Sequence, residues 1–227
     1  EWIPQVGLSF RLPRDSEIKL MASKGFRYPT IRELYMFRPA NADLNPEKLW
    51  SYELSYSQRL LQGRLSYGVN AFYIDGKDLI MRVPVDGRQM NVNTGKVENA
   101  GVEAQVAYRL ASAWSLDANY SYLHMDNPVL ASPEHKLYAG AAFSKGRWYV
   151  STGCQYVAGL YTEVKVAGQG DYATEDFVLW NLRGSFRASE WLNIWVRGEN
   201  LLARKYEINA GFPMPKATVM AGVNVRF

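Results

Sequence analysis

Apolar and polar side chains alternate with a period of two along most of this chain. Near the carboxy end Val219, Ala221, Val223, Val225 and Phe227 share one face of a run, with Asn224 and Arg226 on the other. Trp50, Tyr52, Leu54 and Tyr56 are offset against Ser51, Glu53, Ser55 and Ser57. Val178, Trp180, Leu182 and Phe186 are offset against Asn181, Arg183 and Ser185. Such alternation marks an extended strand with one apolar and one polar face. Eleven runs of this kind are predicted, at about 3–11, 17–24, 49–60, 64–81, 91–110, 114–124, 135–144, 147–158, 176–187, 191–199 and 217–227.

The connectors alternate too. Those around 13–15, 61–63, 111–113, 145–147 and 188–190 are short, and those at about 25–48, 82–90, 125–134, 159–175 and 200–216 are long. In an up-and-down sheet all the long ones then emerge at one end. Strands of roughly ten residues with short turns at one end and long loops at the other are the pattern of an outer-membrane β-barrel. The polar faces must look inward. An Arg or Lys on the lipid face near the midplane costs roughly 2–4 kcal/mol, and several would exceed the roughly 5–15 kcal/mol by which a domain is stable. The predicted fold is all-β, an antiparallel transmembrane up-and-down β-barrel. About eleven strands do not close one, and eleven is half of the roughly 22 strands of plugged outer-membrane transporters. Two open edges cannot stay unpaired in lipid, so an N-terminal half is expected to complete the wall.

Composition agrees. Aromatics are 14% of the 227 residues, with 15 Tyr and 7 Trp. Trp2, Trp50, Trp114, Trp148, Trp180 and Trp191 lie near predicted strand ends, as interfacial girdles do. No run of about 18 apolar residues suggests a transmembrane helix, which leaves strand crossing untouched. The formal net charge of +4 is scattered rather than concentrated on one face, which excludes a nucleic-acid footprint. The single cysteine, Cys154, falls at an outward strand position and reads as apolar filler. The chain opens on Glu1-Trp2-Ile3-Pro4 with neither initiator Met nor signal-peptide pattern. Since a barrel must be exported, that start reads as the middle of a longer protein.

Several short stretches, in order, resemble the barrel of TonB-dependent outer-membrane receptors. Gly25-Phe26-Arg27-Tyr28-Pro29-Thr30 is similar to the family's Gly-Phe-Arg-x-Pro-Thr, and Asp43-Leu44-Asn45-Pro46-Glu47 to its Asn-Pro-x-Leu-x-Pro-Glu strand opening in compressed form. Asn99-Ala100-Gly101-Val102-Glu103, Glu199-Asn200-Leu201 and Gly211-Phe212-Pro213-Met214-Pro215 resemble three further segments. Lys216-Ala217 replaces the usual Gly-Arg, and Ala203 and Arg204 stand where an acidic residue is common. The resemblance implies that residues 1–227 are the C-terminal portion of a receptor barrel, with the plug domain absent from this chain. It implies TonB-energised uptake of a scarce ligand, a metal chelate such as a siderophore, haem or cobalamin. The implied partners are the N-terminal barrel half and plug, the TonB complex through an N-terminal segment, the barrel-assembly machinery and outer-membrane lipid. Val223, Val225 and Phe227 resemble the family's assembly signal.

Candidate ligand contacts are Arg27, Arg32, Tyr35, Met36, Phe37 and Arg38 in the loop 25–48, joined by Arg82, Arg88 and Met90 in the loop 82–90. Arginine offers bidentate contact to carboxylates and anionic chelates, and aromatics offer stacking planes. The same residues also suit solvated loop tips. His124-Met125 is an N/S pair of the kind that ligates haem iron or copper, although a rim dipeptide is the commoner use. His135 is expected to pair with backbone at a strand start. No resident cofactor or metal is expected. No Ser/His/Asp arrangement or phosphate loop appears, so an enzyme is not expected. A passive porin, or less readily a barrel enzyme, stands as the alternative.

Overall fold

The structure, a computed structural model, describes residues 1–36, 39–163 and 173–226. Its main body is one antiparallel sheet of eleven strands in chain order. The strands are β1 (Gln5–Leu12), β2 (Ser16–Arg27), β3 (Glu47–Leu60), β4 (Leu65–Val85), β5 (Arg88–Arg109), β6 (Trp114–Met125), β7 (Pro133–Lys145), β8 (Trp148–Glu163), β9 (Ala173–Arg187), β10 (Leu192–Glu199) and β13 (Thr218–Val225). Between β10 and β13 lies a two-stranded ribbon, β11 (Glu207–Asn209) and β12 (Phe212–Pro213). β1 and β13 are the free edges of the sheet, so the barrel is only partly present.

Register carries each face from strand to strand. Leu8, Leu20, Leu54, Ala71 and Val102 face one another across β1–β5. Val106, Ala118, Ala139, Cys154 and Trp180 do so across β5–β9, and Phe186, Ile194 and Val223 finish the face. One residue along, Gln105, Asn119, Tyr138 and Gln155 form a polar row on the opposite side. The apolar side is open rather than packed: Leu8 is 53% exposed, Leu54 50% and Val223 62%. A soluble sandwich would bury such a face against a second sheet; here it is the lipid-facing surface. The hollows agree. One of about 520 Å³ on the apolar side is lined by Val6, Leu8, Leu20, Leu54 and Tyr73, whereas one of about 870 Å³ on the polar side is lined by Arg11, Glu17, Arg59, Asp117 and Asn119.

Aromatic pairs mark two levels on the lipid side. Trp114 meets Phe143 at 5.0 Å between ring centroids and Trp148 meets Phe186 at 4.5 Å, both near the short turns. Higher up, Trp50, Tyr52 and Tyr73 stack in series at 6.0 and 6.4 Å. At the same upper level His135 lies 5.0 Å from Tyr122 and accepts or donates a 2.9 Å hydrogen bond with the Tyr120 hydroxyl. From Trp114 to Tyr122 the chain climbs roughly 26 Å along the strand, or roughly 20 Å along the membrane normal at a tilt of about 40°, close to the apolar band of about 25 Å.

Several expectations change. Residues 82–90 are not a loop: β4 and β5 run on as a hairpin, closed by Asp86 and Gly87 with φ of 50° and 75°. Both central residues in the left-handed region define the type I′ turn that Asp-Gly favours. Above the membrane both faces of a ribbon meet water, so the alternation that marks a lipid-crossing strand is not required there. β2 likewise extends to Arg27, which shortens the first long connector to 28–46. β8 and β9 extend into the predicted loop 159–175, of which 164–172 lie outside the described residues. His135 bonds a tyrosine side chain rather than backbone. His124 and Met125 fall on opposite faces, His124 opposite Ala100 and Met125 opposite Asn99, so the pair cannot close on one metal.

Candidate functional site

At the long-loop end a single arginine organises the approach to the rim. Arg27 ends β2 opposite Glu47, which opens β3. Its guanidinium donates to Glu47 Oε2 and Oε1 at 2.5 and 2.8 Å, and to Glu33 Oε2 and Oε1 at 2.9 and 3.0 Å. Glu47 Oε1 also accepts from the backbone N–H of Ile80, at 2.9 Å. Thr30 and Glu33 form a reciprocal capping box: Thr30 N and Oγ1 donate to Glu33 Oε2 at 2.7 and 2.8 Å, and Glu33 N donates to Thr30 Oγ1 at 3.2 Å. Chiefly because of the Arg27 guanidinium, with help from Thr30, the Glu33 carboxyl is held down at about 2 from its ordinary 4.5.

That box starts a short π-helical turn, Arg32–Met36. It presents Arg32 to solvent together with Tyr35, 59% exposed, and Met36, 70% exposed. The turn is then stitched to the β4–β5 hairpin. Buried Asn91 donates from Nδ2 to the Glu33 carbonyl at 3.0 Å, and its own carbonyl accepts from Asn41 Nδ2 at 2.9 Å. Asn93 Oδ1 accepts from Asn45 N at 2.7 Å, while its Nδ2 donates to the Asn45 carbonyl at 2.9 Å. Asn91 and Asn93 are two apart and share a face of β5, which lets one ribbon edge hold the connector at two points.

This junction gathers part of the predicted set. Arg32 adjoins Glu33 and Arg82 stands opposite Asn91 on the ladder, whereas Met90, next to Asn91, falls on the other face of the ribbon. Arg88 sits beside the hairpin turn, opposite Val85 and farther from the junction. Arg27 is committed to two carboxylates, so its role is to position the turn. Phe37, Arg38 and Phe227 lie outside the described residues. Val223 and Val225 are exposed on the lipid side of the edge strand β13. Among the described residues no group of three or more His, Cys, Asp or Glu side chains is placed to hold a metal ion.

A second connector folds back at the same end. Asn200, 5% exposed, accepts from Arg204 N at 2.9 Å, donates to the carbonyls of Arg204 and Pro215 at 2.8 and 3.0 Å, and takes Asn181 Oδ1 on its own N–H at 2.9 Å. It holds β11–β12 against the concave side of β8 and β9. There Tyr206 and Ile208 pack on the buried cluster Val157, Leu160 and Phe177. The rings of Phe177 and Tyr206 are 4.4 Å apart, and burial raises the Tyr206 phenol pKa. Periodicity did not single out Asn41, Asn91, Asn93 or Asn200 as site residues. Asn200 carried a signal in the Glu-Asn-Leu motif, and Asn91 and Asn93 in their two-residue spacing.

With eleven strands, a lipid face, a polar concave face and two folded connectors at one rim, the chain has the architecture of a receptor barrel. The model of the TonB dependent receptor-like beta-barrel family matches residues 1–201, and the chain belongs to that family of bacterial outer-membrane transport receptors. It is 19% identical over 233 aligned residues to the vitamin B12 transporter BtuB of Photobacterium profundum, covering 98% of this chain and 37% of that protein. It is 25% identical over 178 residues to the ferric-pyoverdine M114 receptor PbuA of Pseudomonas sp. (strain M114), covering 71% and 21% respectively. Among solved structures it superposes on the copper transporter OprC with a TM-score of 0.81 at 19% identity, over 98% of this chain and 39% of that one. The chain thus spans about two-fifths or less of each of these proteins.

Proposed function

We propose that residues 1–227 are the C-terminal portion of a receptor barrel that imports a scarce ligand actively, a metal chelate such as a ferric siderophore, haem or cobalamin. An N-terminal barrel half closes the two sheet edges, a plug fills the lumen, and the TonB complex supplies energy through a segment on that N-terminal side. The barrel-assembly machinery reads Val223, Val225 and Phe227. The chain performs no catalysis of its own. Ligand contacts come from Arg32, Tyr35, Met36, Phe37, Arg38, Arg82, Arg88 and Met90, while Arg27 holds the turn that presents the first of them.

The observation that carries this reading is the junction at the rim. Asn91 ties the turn that carries Arg32 to the ribbon that carries Arg82, its ladder partner, so two connectors distant in sequence meet at one rim. Support for the ligand class comes from relatives described as a vitamin B12 transporter and a ferric-pyoverdine receptor. The test is uptake by the full-length receptor in a strain lacking its own siderophore, haem and cobalamin receptors, with radiolabelled ligand of each class. One class should accumulate in a manner abolished by an uncoupler. Arg82→Ala with Arg88→Ala should weaken its binding about tenfold or more, as expected where a charge-assisted bond of about 1.5–3 kcal/mol is lost. Flux that is indifferent to the uncoupler would replace this reading with a passive pore.

A further inference from the structure

Charges on the concave wall are arranged differently at the two sides of the sheet. On β1–β3 opposite charges face each other: Arg11 is in register with Glu17, and Arg27 with Glu47. On β9 and β10 the register sets Arg183 directly opposite Arg197, on the face shared with Asn181 and Trp195. Residues so placed have Cβ atoms roughly 5 Å apart, where like charges are destabilising. The other ladder neighbour of Arg183 is Ser151, and that of Arg197 is Met220. The next inner positions towards the short turns are Ser185 and then Arg187. Glu199 bonds Arg197, and neither neighbouring strand places a carboxylate in register with Arg183. Arg183 and Arg197 are both exposed to the concave space.

We infer that Arg183 and Arg197 form an anion cradle on the lumen wall that takes a carboxylate or a phosphate. Two planar guanidiniums on adjacent strands match the oxygen spacing of such groups through bidentate donation. An anion between them relieves the repulsion that the register builds in. Trp195 walls one side and is held in place against β13, where a Cβ on Gly222 would come within 2.7 Å of its ring. The anion has two sources: an acidic side chain of a polypeptide segment that occupies the lumen, or a diffusible carboxylate or phosphate. The inference rests on the concave face being a barrel lumen and adds to the transport reading a second, internal site with its own chemistry.

The test uses the full-length receptor in outer-membrane vesicles with Ser151→Cys, which places a thiol beside Arg183. Thiosulfonate reagents of equal size and opposite charge report the local potential. If the cradle is open, the anionic reagent reacts about tenfold faster or more, the range that a like-charged cleft gives to an incoming counter-ion. That preference disappears in R183Q/R197Q and is reduced by millimolar citrate or inorganic phosphate. If a protein carboxylate fills the cradle, the thiol is shielded from both reagents until R183E/R197E expels it. Equal rates for the two reagents, or shielding that the charge reversal leaves unchanged, overturns the inference. Heat-modifiable electrophoretic mobility verifies that each variant is a folded barrel. Labelling is read without any uptake, so loss of transport with the charge preference intact would count against the proposed function alone.

Discussion

Two connectors fold back at the long-loop end of this sheet, and they differ in which side chains they bury. Residues 200–217 are fastened from within: Asn200 is buried, its amide group is fully used by backbone partners, and an apolar cluster centred on Phe177 closes around Tyr206 and Ile208. The connector between β2 and β3 is fastened by its margins. Asn91 and Asn93 bond its backbone from a hairpin, its own Asn41 reaches back to the Asn91 carbonyl, Arg27 ties its first turn to β3, and Tyr35 and Met36 stay in solvent. The first arrangement uses its side chains to make a lid over β8 and β9. The second leaves an aromatic ring and a thioether outside the fastening. A connector that buries its aromatic and aliphatic side chains cannot present them; one tied by polar bonds at its margins can.

Breaking the inner fastening should have the largest effect. Asn200→Ala removes three side-chain hydrogen bonds in a buried place and leaves alanine in the left-handed region, where Asn200 has φ of 47°. The expected loss is about 4 kcal/mol of local stability, seen in the full-length receptor as rapid amide exchange and tryptic cleavage at Lys205 and Lys216. Retained protection would show that the apolar cluster alone suffices. Phe177→Ala tests that cluster and should cost about 3 kcal/mol, again confined to the ribbon β11–β12.

Asn91→Ala is expected to do less to stability and more to ligand. It removes one side-chain bond, worth about 1 kcal/mol, yet the Arg32 turn then loses its tie to Arg82. Ligand affinity should fall several-fold while the unfolding temperature moves little, as isothermal calorimetry and thermal melts would show. A fall in melting temperature as large as that of Phe177→Ala would mean that the two connectors are not fastened differently after all.

The difference also explains what could be read from sequence. Val178, Trp180 and Leu182 announced a lipid face because hydrocarbon on one side and water on the other enforce a two-residue period. That force ends at the membrane surface, so Arg82, Pro84, Arg88 and Gln89 showed no alternation although they are in strands; only Asp86-Gly87 hinted at the turn. Asparagine in a connector reads as solvated, and nothing in residue type distinguishes Asn200, buried with every amide atom bonded, from an exposed one. Arg27 was legible as a cation at the rim, whereas its engagement by Glu33 and Glu47 depends on a fold that brings together positions 27, 33 and 47.

The smallest effect expected is the acid response of the outer fastening, and its sign follows from Glu33. The folded carboxyl sits at about 2 against an ordinary 4.5, held there first by Arg27. A depressed carboxylate contributes stability that is complete above its unfolded value and is lost as protons bind in the folded state. Protection of the Thr30 amide, which donates to Glu33 at 2.7 Å, should therefore be flat from neutral pH down to about 4.5 and fall between there and about 2, once the intrinsic exchange rate is divided out. Glu33→Gln keeps an acceptor for Thr30 but discards the ion pair, so its protection should be lower at neutral pH and level through the acid range. The bonds of Asn200 involve no ionisable group, and the Arg204 amide that donates to it serves as the internal reference. If the Thr30 and Arg204 amides lose protection together as the pH falls, the barrel is opening as one unit and the contrast between the two fastenings is lost.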